Sequence, residues 1–373
     1  METYAIYLKP KGSLASEIHS DTLFGALCWA IRHLYGKDRL ESLLKAFAED
    51  PKFILSSAFP CLFHDGEKVR CYPKPLLSDL TSEQVERLAW VNPAEARRDP
   101  LANKRAVVEV VEKAKRLKAT AYISERLFSE IVNRRMDTEG LFKRLVKRGV
   151  TEHDIEGIGN VLITTGERKK IDPDAEWDAF WREADVQRNE IDRVAGSPIE
   201  GRLFFTRETV FARGVAGLWF VLWTPDLDFM KPLLRYLEDT GIGGERTVGK
   251  GHFAIPLEEI QEIALPHADK ETNAFVTLSR YIPADGEVVF TQAPLAYHLS
   301  TIRPKHEAML AGVGHHTFKA ILHVLEPGSI LPFQEPRKKY YGRIVPVGVS
   351  AERGGWRVYH NGMTIPVFAK IGG

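Results

Sequence analysis

The run Gly241-Ile242-Gly243-Gly244-Glu245-Arg246-Thr247-Val248-Gly249-Lys250-Gly251-His252-Phe253 restricts this chain more than any other segment. Five glycines fall within eleven residues, from Gly241 to Gly251. Each costs about 0.5–1 kcal/mol of backbone entropy relative to alanine in regular structure, so such density implies unusual dihedrals or a surface that must come close to the main chain. Upstream, Asp226 followed by Met230, Leu233, Leu234 and Leu237 reads as a capped amphipathic helix that closes at Gly241. Downstream, HFAIPLEEI reads as a strand. The run therefore joins a helix to a strand, and Arg246, Lys250 and His252 add positive or polar side chains to it. Exposed amides beside cationic side chains suit phosphate oxygens.

Two other readings of the run compete. A plain connection, with glycines serving turns and charges facing water, accounts for the position but not for the glycine density. Gly244 to Gly251 also spells G-x-x-x-x-G-K-G, one residue from the phosphate loop of nucleotide hydrolases. Here Gly251 stands where a hydroxyl must hold magnesium, and the loop leaves a helix to enter a strand, the reverse of the required order. Binding of RNA fits better than nucleotide hydrolysis.

Other segments give the fold class. Thr3 to Leu8 reads as a strand ended by Lys9-Pro10-Lys11-Gly12. Ser20-Asp21 caps a helix through Leu23, Phe24, Leu27, Cys28, Ile31 and Leu34, and Gly36 closes it. Further on, RLFFTRETVFARG and GLWFVLWTPD read as two strands joined near Gly214 to Gly217, a predicted hairpin. The order strand, helix, strand, strand, helix, strand is that of an α+β ferredoxin-like (RRM-like) domain, with the first and third strands central and two helices on one face. With 373 residues, two domains are expected. The first is predicted over 1–263, with a long, mostly helical insertion at about 37–200. The second, over 264–373, is strand-rich and less regular: AFVTLSRYIP, FKAILHVLEPGS, YYGRIVPVGV and WRVYHNGMTIPVFAK.

A formal net charge of +1 points to no nucleic-acid partner globally, so basic surface must come from local segregation. The densest basic stretch is in the insertion: Arg97, Arg98, Lys104, Arg105, Lys113, Lys115, Arg116 and Lys118, then Arg134, Arg135, Lys143, Arg144, Lys147 and Arg148. Laced with Glu109, Glu112 and Glu125, it reads equally as a solvated helix face or as an RNA or partner surface. No apolar stretch is long enough for a membrane span, and METYAIYLKPKG reads as a strand rather than a signal segment, so a cytoplasmic protein without a membrane partner is expected. Cys28, Cys61 and Cys71 make no disulfide framework, and Cys61 and Cys71 with His64 lack the paired spacing of a zinc site. Adjacent His315 and His316 point in different directions, so no metal or cofactor is expected. Trp356 and Tyr359 read as packing residues first, stacking residues second.

In the sequence GIGGERTVGKGHF the chain resembles the RAMP superfamily of CRISPR proteins. HSDTLFGALCWAI, KRLKATAYISERLF, IDRVAGSPIEGRLFFTRE and VYHNGMTIPV resemble, in combination, the subunit family of type III-A Csm complexes that grips the 5′ tag of the guide RNA (crRNA). The resemblance implies two ferredoxin-like domains and a non-catalytic clamp on the crRNA 5′ tag. It also implies contacts with the large signature subunit and an adjacent backbone RAMP subunit, within an antiviral ribonucleoprotein. By position the family's guide-contacting loop maps to Gly243, Gly244, Arg246, Thr247, Gly249, Lys250 and Gly251, with His252 beside it. His19 and Ser20 are candidates from the first turn, and Arg188, Asn189 and Arg193 from the exit of the insertion.

The enzymatic alternative is a metal-independent endoribonuclease that processes precursor crRNA, with His19 and Asp21 as an acid/base pair. Such a nuclease also needs a group to stabilise the pentacoordinate phosphate, and Asp21 already has a role as helix cap.

Overall fold

The computed structural model describes residues 2–88, 102–147, 151–171, 179–192, 194–268, 271–305, 318–350 and 356–371. The chain opens with β1 (Glu2–Pro10), α1 (Ser20–Tyr35), α2 (Lys37–Ala46), β2 (Ile54–Leu55), β3 (Phe59–His64) and β4 (Glu67–Pro73). Next come α3 (Ser82–Leu88), α4 (Ala102–Ala119), β5 (Tyr122–Ser124), α5 (Glu125–Val132), α6 (Thr138–Val146), β6 (Ile155–Ile158), β7 (Val161–Thr164) and α7 (Thr165–Ile171). A long ribbon, β8 (Trp181–Ile191) and β9 (Pro198–Phe211), leads to β10 (Ala216–Thr224), α8 (Leu227–Thr240), β11 (Phe253–Ala254) and β12 (Gln261–Glu262). The remainder is β13 (Ala274–Thr277), β14 (Leu299–Ile302), β15 (Leu322–Leu325), β16 (Ile330–Leu331), β17 (Ile344–Ser350), β18 (Trp356–Asn361) and β19 (Pro366–Ala369).

The main sheet runs β11-β1-β10-β3-β4-β5-β7-β6. β1 pairs antiparallel with β10 from Glu2 opposite Thr224 to Leu8 opposite Leu218. Both strands are buried on both faces, which their unbroken apolar cores YAIYL and GLWFVLW require. In one cross-strand row, Tyr7 lies opposite Trp219 and Trp219 opposite Phe59. The indole N–H of Trp219 donates to the Cys71 carbonyl at 2.9 Å. α1 and α8 lie side by side, His33 against Tyr236, and put Leu23, Leu27, Leu233 and Leu237 into the core that holds Ile6 and Leu8.

That core continues into the C-terminal region through Ala274, Val276, Leu278, Met363, Ile365 and Val367. Polar bonds fix the same seam. The Ser57 N–H donates to the Leu278 carbonyl at 2.8 Å, and the Ser279 hydroxyl donates to the Leu55 carbonyl at 2.8 Å.

Three expectations change. RLFFTRETVF does not form a hairpin with GLWFVLWTPD: as β9 it pairs with β8, and β10 lies between β1 and β3. The physical reason is that β10 buries both faces, whereas most of β9 is exposed and Glu200, Arg202, Arg207 and Glu208 add charge to it. The stretch 37–200 is not simply a helical insertion, since it supplies β3 to β7, which extend the main sheet. Asp21 is not the cap of α1. His19 holds that position, without a side-chain cap bond, and Asp21 sits in the first turn.

Trp219→Ala removes a fully enclosed indole from the middle of the sheet. It should cost about 3–5 kcal/mol in a urea titration, and a loss below about 1 kcal/mol would show that this row does not organise the core.

Candidate nucleic-acid interface

Three pieces of chain meet at the end of β1. The Lys11 N–H donates to the His252 carbonyl, the Gly251 N–H to Ser13, and the Ile242 N–H to Gly251, each at 2.8 Å. Gly12 lies so close to the glycine loop that a Cβ on it would come within 2.6 Å of the Gly249 carbonyl oxygen. Within the loop, Glu245 is left-handed at φ 56° and Arg246–Val248 form one 3₁₀ turn.

The glycines divide by task. A Cβ on Gly251, which has φ +68°, would lie 2.0 Å from the Ile242 carbonyl oxygen, so this residue closes the base of the loop. Gly243 and Gly249 turn the chain at φ 91° and 89°. Gly244 has neither constraint, because the space around its would-be Cβ is open and its φ is ordinary. The Gly243, Gly244 and Thr247 amides make no hydrogen bond among the described residues, so these donors are available to a ligand.

Lys250 was expected among the cations that face RNA. In the structure its ammonium is 1% exposed and lies between two carboxylates, Glu208 at 2.9 Å and Glu245 of its own loop. Burial alone would lower its pKa, but the hydrogen bonds and charges of Glu245 and Glu208 outweigh that and raise it. Lys250 thus fastens the loop to β9. Arg246 is half-buried, with its carbonyl 3.1 Å from His252 Nε2, and Thr247 is exposed.

The second wall is the β8–β9 arm, rooted by the pairing of Leu14 with Thr209. Cross-strand partners share a face, so Val186, Arg188, Phe204, Thr206 and Glu208 lie on one side, and Gln187, Asn189, Leu203 and Phe205 on the other. Lys250 reaches Glu208, so the first side looks towards the glycine loop. Arg188 donates to the Glu208 carboxylate at 2.8 Å and stands opposite Phe204, which is 49% exposed. Asn189 is on the outer side, and Arg193 lies outside the described residues. Neither Glu208 nor Phe204 was singled out from sequence. Their signal is the i, i+2, i+4 spacing of Phe204, Thr206 and Glu208 in a strand.

Glu208 is the chemical centre of this arrangement. Burial pushes its carboxyl up, but hydrogen bonds from Ser13, Arg188 and Lys250 outweigh burial and hold its pKa at about 2.

The His19-Ser20-Asp21 turn lies elsewhere, at the seam with the C-terminal region. Ser20 is fully enclosed, its N–H donating to Ser57 Oγ and its Oγ accepting from the Arg280 N–H, both at 3.1 Å. A hydroxyl so enclosed offers RNA no surface. Burial, with Arg280 nearby, lowers the His19 pKa. His19 Nε2 lies 3.4 Å from the Glu17 carboxylate, while Asp21 faces Arg280 at 3.8 Å and His360 at 4.0 Å.

In the basic stretch several cations have structural partners: Lys113 with Glu109, Arg116 with the Gly157 carbonyl, Lys143 with Glu139 and Arg144 with Glu130. Lys104 and Lys115 are exposed, and Arg97, Arg98 and Arg148 lie outside the described residues. Cys61 and Cys71 are buried, and among the described residues no three His, Cys, Asp or Glu side chains assemble as a metal site. His315 and His316 lie outside the described residues, and Tyr359 is half-buried opposite Pro346. No helix among the described residues is long and apolar enough to cross a membrane.

A sheet in which β1 pairs with β10 on one side and with β11 on the other, closed by a glycine loop between α8 and β11, defines the class, and the chain belongs to the RAMP superfamily, whose family model matches residues 15–254. Within that class it is similar to the CRISPR protein Csm4 of Thermococcus onnurineus (strain NA1). The two are 27% identical over 289 residues, 77% of each chain. Its fold is shared with two solved structures. In a Csm3–Csm4 subcomplex of the type III-A CRISPR-Cas interference complex, the TM-score is 0.58 at 16% identity, covering 100% of both chains. In a Csm1–Csm4 cassette in complex with pppApA, it is 0.55 at 20% identity, covering 100% of this chain and 99% of the other.

Gly251→Ala should lower the melting temperature sharply, because φ +68° and the Ile242 carbonyl both oppose a Cβ, whereas Gly244→Ala should leave it unchanged or raised by the equivalent of about 0.4–1 kcal/mol. Equal effects would refute the division of tasks. Because the Glu208 carboxyl is depressed from 4.5 to about 2, its contribution to stability is complete above pH 4.5 and is lost as the pH falls towards 2. Glu208→Gln should therefore flatten the acid limb of the stability profile in that window. A limb as steep as wild type would assign it to other carboxylates.

Proposed function

We propose that this protein is a non-catalytic RNA-binding subunit of a type III-A CRISPR ribonucleoprotein, holding the crRNA 5′ tag in the groove between the glycine loop and the arm. The observation that carries the reading is the facing of two walls. One offers unbonded amides at Gly243, Gly244 and Thr247 with Arg246 beside them, and the other offers Arg188 and the exposed ring of Phe204. Amides and guanidinium groups suit a sugar-phosphate strand, and an exposed aromatic ring suits an unstacked base. Lys250 and Gly251 contribute by shaping the loop.

Similarity to Csm4, and to chains solved with Csm1 and with Csm3, supports assembly with the large signature subunit on one side and a backbone RAMP subunit on the other, in the cytoplasm. The strand order β11-β1-β10-β3, with α1 and α8 in the connections, supports a ferredoxin-like domain over 1–263 in which β3 takes the place first given to β9. The three-stranded β16-β13-β19 sheet supports a second, degenerate one over 264–373. Nuclease activity draws no support from His19, which pairs with Glu17 at the seam.

Fluorescence anisotropy with a short 5′-tag RNA across a salt series tests the assignment. Arg246→Ala should reduce the log-log salt slope by about 0.7, the value for one lost single-strand phosphate contact. Phe204→Ala should weaken binding by about 1–3 kcal/mol with no change of slope, as stacking carries no charge. If wild type fails to bind even with the large subunit present, the groove is not an RNA site.

A further inference from the structure

We infer that Glu208 is a positioning residue that sets the angle of the arm against the glycine loop, so that the two walls of the groove bind as one unit. This rests on the reading of the groove as an RNA site, and it adds a part that does not touch RNA. The Glu208 carboxylate accepts from Ser13 Oγ at 2.5 Å, Arg188 Nη2 at 2.8 Å and Thr206 Oγ1 at 3.3 Å, and pairs with Lys250 Nζ at 2.9 Å. One carboxylate therefore gathers the turn after β1, the glycine loop and both strands of the arm.

Few other ties do this. Beyond the arm's root at Leu14 and Thr209, the hydrogen bonds and ion pairs that join it to the body among the described residues end on Glu208 and Thr206. A two-stranded ribbon standing alone is marginal in water, so its direction must be fixed where it meets the body. Glu208 is 5% exposed and Lys250 1%, so the pair is shielded from water and holds its geometry more firmly than a surface pair. Without Glu208, Lys250 retains Glu245, a partner within its own loop. The loop would then keep its shape while the arm lost its tether.

Charge and position make opposite predictions, which gives a decisive test. Glu208→Gln removes a negative charge beside the proposed path of the phosphates. If Glu208 acted only through its field, the full-length variant would bind 5′-tag RNA more tightly than wild type. As a positioning residue, its loss should weaken binding about tenfold. Amide exchange at 203–207 and 186–189 should rise about tenfold, while exchange in β1 and β10 stays at the wild-type rate. Ser13→Ala, which removes one ligand of the carboxylate and no charge, should shift both readouts in the same direction by less. Combining Glu208→Gln with Lys250→Met should weaken binding by less than the sum of the two single changes, since both break one link. Tighter or unchanged binding in Glu208→Gln, or unchanged arm exchange, overturns the inference. If Glu208→Gln fails to fold, Ser13→Ala decides by the same two readouts. Failure of wild type to bind RNA would sink the RNA reading instead, and the exchange comparison would still report whether the tether exists.

Discussion

The pairing of β1 with β10 is the constraint on which the rest depends. Seven consecutive residue pairs, in which Ala5 to Leu8 are apolar and buried on both faces, fix the direction of β1 and therefore the point where Lys9-Pro10-Lys11 leaves the sheet. The glycine loop bonds back to Lys11 and Ser13, and the arm joins at Leu14. A shift of one residue in that register would turn every core side chain of β1 to the other face and move the platform on which both walls of the groove stand.

Much of this was legible in the sequence. Asp226 caps α8, accepting from the Phe229 N–H, and Gly36 and Gly241 end their helices with positive φ. Local chemistry of this kind survives folding because it is satisfied within a few residues. The order of strands did not, because pairing is decided by distant neighbours. GLWFVLWT is apolar throughout and needs a neighbour on each side, a demand that the charged, alternating RLFFTRETVF cannot meet. A better signal was available at Asp65-Gly66, where two positive φ values turn FPCLFH back onto EKVRCYP. Aspartate followed by glycine between two such runs is a strong hairpin mark.

The site was legible in outline and not in detail. Glycine density located the loop, and the structure divides that density into residues that close the base and residues that leave amides open. Charge was harder to read, since a lysine in a list of cations carries no sign of the carboxylates that will surround it. Lys250 meets Glu208 across 42 residues of sequence, and Ser20 meets Arg280 across 260. Only the fold brings such partners together, and it converts a lysine and a serine that looked ligand-facing into internal fastenings.

The shared core across the seam bears on how the chain comes into being. β1 waits for β10, more than 200 residues later, and the core it shares is completed by Leu278, Ile365 and Val367. During synthesis the first strand and first helix would leave the ribosome long before their neighbours exist. Contacts of such long range fold slowly and leave apolar edges open in the interval. A truncation that removes the last strands would expose part of that shared core to water, so the two halves are made in sequence but become stable together.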